Sequence, residues 1–138
     1  MAFGTFDHFH AGHEACLQQA KALGDILIVV VALDQTVRLI KGKSPDQTEK
    51  ERRNTVKMSR LADKVVLGKP GDKYEVIRRY RPHIIALGYD QFTFTLRLRK
   101  FLIDHGMDTT IVRLQAYRPT IFKTSLLRKK ADLSSSMV

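Results

Sequence analysis

Apolar positions along this chain follow two alternating rhythms. Cys16, Leu17, Ala20 and Leu23 recur at helical spacing and Gly24 follows as a stop, which predicts a helix over His13 to Leu23. Ile26 to Leu33 is then a continuous run rich in β-branched residues, the pattern of a parallel strand buried on both faces. Ser44-Pro45-Asp46-Gln47 offers an N-cap, a proline at N1 and a glutamine at N3, and predicts a helix running to about Leu61. Lys64 to Leu67 reads as a short strand. Asp72 with Glu75 repeats the capping pattern before a helix to Tyr80, which Pro82 ends. His83 to Leu87 is a further buried strand. Phe94, Leu98, Phe101 and Leu102 form another helical stripe, stopped near Gly106, and Thr109 to Leu114 is the last strand. A loop with Pro119 leads to a short basic helix from about Thr124, and the serines at 134–136 mark a disordered tail.

Strands that alternate with helices imply an α/β fold: a Rossmann-like, doubly wound parallel sheet of about five strands with helices on both faces. One domain over residues 1–130 is expected, with a tail at 131–138. In such sheets ligands sit at the carboxyl ends of the strands, where the strand order reverses. The turn at Gly4 follows the first strand and the turn at Gly88 follows the fourth. If those strands are neighbours, both turns line one crevice. Only Met1, Ala2 and Phe3 precede Gly4, so either the first strand is unusually short or the start is trimmed relative to related chains.

Composition narrows the class. At 138 residues and 43% apolar, the chain can bury a real core. The longest apolar run is too short to span a bilayer, and charged and polar residues crowd the first 25 positions, so neither a membrane anchor nor a secretory signal is expected. Cys16 is the single cysteine, which excludes an intramolecular disulfide and fits a reducing cytoplasm. The net charge of +10 implies an anionic partner. The basic residues are scattered and no nucleic-acid motif is present, which favours small polyanionic substrates over nucleic acid.

The candidate chemistry is concentrated in Gly4-Thr5-Phe6-Asp7-His8-Phe9-His10-Ala11-Gly12-His13. A glycine turn runs into a helix start, whose free N–H groups favour anions. His10 and His13 add donors at the same place. Two other readings stay open: the histidines only cap the helix, or they bind zinc together with Asp7.

This segment resembles the signature of the cytidylyltransferase-like nucleotidyltransferases, which pairs a Gly-Thr-Phe-Asp turn with a His-x-Gly-His box. The resemblance implies transfer of a nucleotidyl group from a nucleoside triphosphate to a phosphorylated acceptor, assisted by Mg²⁺ that Asp7 helps to hold. It assigns catalysis to His10, His13 and Lys41, the last in a lysine-bearing loop over Thr36 to Lys43. It assigns nucleotide contacts to Gly4, Thr5, Phe6, Gly12, Gly88 and Asp90, and to Thr124 and Ser125 at the final helix start. Asp7, Arg52, Tyr89 and Arg118 take the substrate-binding roles. The related enzymes carry adjacent Ser or Thr where Lys123 stands.

Within the family, Phe3 to about Leu127 is most similar to the archaeal-type FAD synthetases. The matching stretches include Asp34-Gln35-Thr36-Val37, Lys41-Gly42-Lys43-Ser44-Pro45 and Ala86-Leu87-Gly88-Tyr89-Asp90-Gln91. That similarity implies ATP and FMN as substrates and a homodimer. The alternatives are a glycerol-3-phosphate cytidylyltransferase using CTP or a sugar-phosphate adenylyltransferase. The former usually carries Arg-Thr-Glu-Gly-Ile-Ser-Thr-Thr near its end, from which Tyr117 to Ser125 departs. A nucleotide- or RNA-binding module without catalysis is the non-enzymatic alternative.

Overall fold

Among the described residues, five short strands form one parallel sheet in the order β3-β2-β1-β4-β5. The computed structural model describes residues 1–72, 74–88 and 91–116. In chain order the elements are β1 (Ala2–Gly4), α1 (Ala11–Lys21), β2 (Ile28–Val31), α2 (Asp34–Lys41), α3 (Glu49–Ser59), β3 (Lys64–Leu67), α4 (Glu75–Tyr80), β4 (Ile84–Leu87), α5 (Phe92–Asp104) and β5 (Thr110–Arg113). The three-residue β1 lies at the centre. It pairs with β2 along Ala2↔Val29 to Gly4↔Val31, and with β4 at Ala2↔Ala86.

The period-two alternation of side chains divides the core between the two faces of the sheet. Val29, Val31 and Ala86 point to the face covered by α1 and α3, against Leu17, Ala20 and Val56. Val30, Ile85 and Leu87 point to the other, against Val76 and Ile77 of α4 and Leu98 and Leu102 of α5. Strand order reverses between β1 and β4, so Gly4 and Gly88 share one end of the sheet at the reversal. No helix among the described residues is long and apolar enough to cross a membrane.

Two local expectations are corrected. Thr36 to Lys43 is not a loop: most of it forms α2, which ends at Gly42 in the left-handed conformation (φ 81°). Its N-cap, Leu33, has no capping side chain; the Asp34 N–H is instead satisfied by Glu49 Oε1 at 2.8 Å, from another helix. Ser44 and Pro45 do not open α3 either. Thr48 is its N-cap, in a reciprocal box with Glu51, because the main-chain donors of Asp46 and Gln47 are held by Asp7.

Candidate active site

The loop from β1 to α1 turns by two unusual residues. Phe6 and His8 both have positive φ, 55° and 51°, a conformation that costs a non-glycine residue about 1–2 kcal/mol. Phe6 is nonetheless buried, its ring folded back over Gly4. A Cβ at Gly4 would stand 2.7 Å from that ring, so the glycine is required by packing.

The two histidines make a capping box from imidazoles. His10 is the N-cap of α1 and its Nδ1 accepts the N–H of Gly12 at 3.0 Å; His13 Nδ1 accepts the N–H of His10 at 3.1 Å. With Nδ1 accepting, each neutral ring carries its proton on Nε2, away from the backbone. The rings stack with centroids 3.9 Å apart, and His13 also packs against Phe6 and Phe9, each 5.5 Å away. Burial first, then the neighbouring His10 and Lys41, lowers the His13 pKa to about 4 despite the opposing pull of Asp7. His13 is therefore neutral at pH 7 with its tautomer fixed. Capping and ligand binding are compatible here, since they use opposite nitrogens.

This loop is strapped to the segment before α3. Asp7 Oδ2 and Oδ1 accept the N–H groups of Asp46 (2.8 Å) and Gln47 (3.0 Å). The His8 N–H donates to Gln47 Oε1 at 3.0 Å, and His8 Nε2 lies 2.8 Å from Asp46 Oδ2. Desolvation pushes the Asp7 pKa up, but the two main-chain donors and the nearby His8 and Arg52 charges outweigh it, and the net shift is downward. The His8 pKa is raised, mainly by its bond to Asp46 and then by the charge of Asp7.

Arg52 lies beneath the strap with no exposed surface. Its Nε donates to Gln47 O (3.0 Å), Nη1 to Thr5 O (2.8 Å) and Nη2 to Asp34 Oδ1 (2.7 Å). The sequence directs this side chain toward substrate; the structure engages it with three protein acceptors. Asp34, Asp46 and Gln47 are hydrogen-bond partners of the candidate site residues that sequence reading misses. Their signal is tertiary, and a local motif does not carry it.

Lys41 is exposed in the last turn of α2, close enough for its charge to act on His13. Across the reversal, the Gly88 N–H donates to Gln91 Oε1 at 2.6 Å, and its carbonyl accepts Arg113 Nη1 at 2.7 Å and the Gln91 N–H at 3.1 Å. Tyr89, Asp90, Arg118, Thr124 and Ser125 lie outside the described residues.

Among the described residues, one group could hold a metal by proximity: Asp7, His8 and Asp46 place ligand atoms within 4.8 Å of one another. Mg²⁺ prefers oxygens in octahedral geometry. Here one ligand atom is an imidazole nitrogen, and both Asp7 oxygens already accept main-chain hydrogen bonds. This donor set does not fit a protein-held Mg²⁺. The zinc alternative gains no support, because His10 and His13 fall outside the group and their Nδ1 atoms are engaged. A cleft of about 580 Å³ opens on the β2–β3 side of the same sheet end, lined by Leu33, Arg38, Thr48 and Pro70 among others.

The chain is similar to known proteins over most of its length. The chain is 39% identical over 127 residues to the FAD synthase of Thermococcus onnurineus, covering 91% of this chain and 85% of that one. It is 42% identical over 124 residues to the FAD synthase of Pyrococcus horikoshii, covering 88% and 84%. The crystal structure of the lipopolysaccharide core biosynthesis protein from Thermoplasma volcanium GSS1 superposes with a TM-score of 0.80 at 38% identity, covering 86% of this chain and 96% of that one. The cytidylyltransferase-like family model matches residues 1–138, and the chain belongs to that family.

Proposed function

We propose that this protein is an FMN adenylyltransferase: it transfers AMP from ATP to FMN, giving FAD and pyrophosphate. The observation that carries the reading is the two-histidine cap, whose Nδ1 atoms are engaged by the backbone and whose Nε2–H groups are left for a ligand, on the loop after β1, the strand that pairs with β4. The FAD synthase relatives supply the substrate pair.

An oxygen of the FMN phosphate attacks the α-phosphorus of ATP. The bond from that phosphorus to the bridging oxygen breaks, and pyrophosphate leaves with the electron pair. A phosphate monoester has its second pKa near 6, so the nucleophile is already anionic at neutral pH and needs no general base. Catalysis is then alignment plus charge stabilisation. His10 and His13 donate from Nε2 to α-phosphate oxygens. Lys41 adds a mobile positive charge. ATP takes the β4 side and the acceptor takes the β2 side, where the cleft gives its ring system room. Thr124 and Ser125 remain the phosphate contacts expected from the C-terminal segment, with Asp90 on the nucleotide and Tyr89 and Arg118 in the substrate-binding roles. The nucleotide substrate would be MgATP, whose cation would supply charge neutralisation on the phosphates. The homodimer and cytoplasmic location implied by the sequence belong to the same proposal and are checked by sedimentation velocity and cell fractionation.

The test is incubation with FMN and either MgATP or MgCTP, followed by chromatography for a flavin dinucleotide. FAD from ATP is the expected product. A cytidine dinucleotide from CTP would overturn the base assignment. Pyrophosphate release only with glycerol 3-phosphate or a sugar phosphate would overturn the acceptor. No turnover with any pair would leave a binding module.

A further inference from the structure

The end of β4 is held by a residue to which the sequence gives no role. Arg113 closes β5, in register with Leu87 of β4, and its half-buried side chain reaches past the strand end to the carbonyl of Gly88. Gln91 holds the other side of the same residue: its Oε1 takes the Gly88 N–H and its own N–H returns to the Gly88 carbonyl. Both polar groups of Gly88 are thus fixed by side chains from two elements. Glycine is the residue with the widest backbone freedom, so an unheld Gly88 would sample many orientations. The clamp lies next to β1, whose loop carries the histidine pair.

We propose that Arg113 is a positioning residue for the nucleotide. It orders the Gly88 peptide at the nucleotide side of the crevice, so that ATP is bound against a preformed surface. This rests on the adenylyltransferase reading for the side that ATP occupies. A charge-assisted bond from guanidinium to carbonyl is stronger than a neutral one, and a bond that preorders a binding surface is read out as affinity. Arg113 stands on β5, at the opposite side of the sheet from α2 and the strap, so its loss is expected to act on the nucleotide side first.

The experiment compares wild type with Arg113→Met and Arg113→Lys. Initial rates are measured with ATP varied at saturating FMN and with FMN varied at saturating ATP. ATP binding without FMN is measured by calorimetry. Arg113→Met is expected to raise the KM and Kd for ATP about tenfold, roughly the worth of one charged hydrogen bond, with kcat and the FMN KM within about twofold. Arg113→Lys keeps a donor and recovers part of the ATP affinity. A purely structural role predicts equal losses on both substrates; that result, or an unchanged ATP Kd, overturns the proposal. If wild type makes no FAD, the functional reading fails separately, and the ATP titration of the Met variant still decides the role of Arg113.

Discussion

Arg52 Nη1 donates to the carbonyl of Thr5 across 47 positions of sequence, and through that bond a fully buried cation fixes the entrance to the histidine loop. The same guanidinium holds Asp34 and Gln47, so three segments meet on one planar fork. Removing one partner of a buried pair costs more than the pair contributes, because the other charge is left uncompensated.

Arg52→Met should therefore destabilise the protein by about 3 kcal/mol, the lower end for a buried pair because Asp34 keeps some solvent contact. Urea unfolding measures this. Arg52→Lys keeps the charge but gathers its donors on one nitrogen in place of the planar fork whose three nitrogens reach separate acceptors, and its kcat should fall well below wild type at temperatures where it remains folded. Wild-type kcat in the folded Lys variant would show that the fork does not set the loop.

His10 has separable duties. In His10→Asn the amide oxygen can replace Nδ1 as cap acceptor, whereas the Nε2 donor is lost. Stability should stay within about 1 kcal/mol of wild type while kcat falls by about 10²–10³, the usual effect of losing one transition-state donor. A variant that unfolds, or one with unchanged kcat, would contradict this division.

His13 gives a pH signature. Its pKa is near 4 when folded and near 6.5 when unfolded, so between those values the unfolded chain binds the extra proton. Stability should thus rise with pH from about 4 to 6.5, by roughly 2 kcal/mol after discounting for partial solvent screening. In ¹⁵N spectra the ring should appear as the Nε2–H tautomer and remain unprotonated down to pH 5. A titration midpoint near 6.5 would refute the assignment.

Asp7→Asn separates strap from metal. The variant retains one acceptor oxygen and sets an amide donor against a main-chain donor, at a cost of about 1–3 kcal/mol. The Mg²⁺ concentration for half-maximal rate should not change. A large increase would make Asp7 a metal ligand after all.

Much of this arrangement is legible in the sequence. The span Lys64 to Leu67 is a strand as read, and the condition that the first and fourth strands be neighbours is met at Ala2↔Ala86. The illegible parts have one cause. Helix α2 is eight residues long, starts without a polar cap and takes its capping from Glu49. Ser44-Pro45 is a good local start signal, yet it yields to Thr48 because Asp7 claims the intervening donors. His8 has no motif, but it is half of the strap. In each case a distant partner overrides a local preference, and no window of neighbouring residues contains it.

The strap also orders events during synthesis. Every residue it joins lies in the first 52 positions, and β1, β2 and β3 can pair within the first 67. The partner of β1 on its other side comes only at Ala86. A nascent chain can therefore assemble its histidine half as a three-stranded sheet in which β1, central in the finished fold, is still an edge. The nucleotide half closes that edge only once Ala86 has been made and β4 has docked on β1. Until then β1 is an open template for a stray strand, and the window between the two halves is where this fold is most exposed to misassociation.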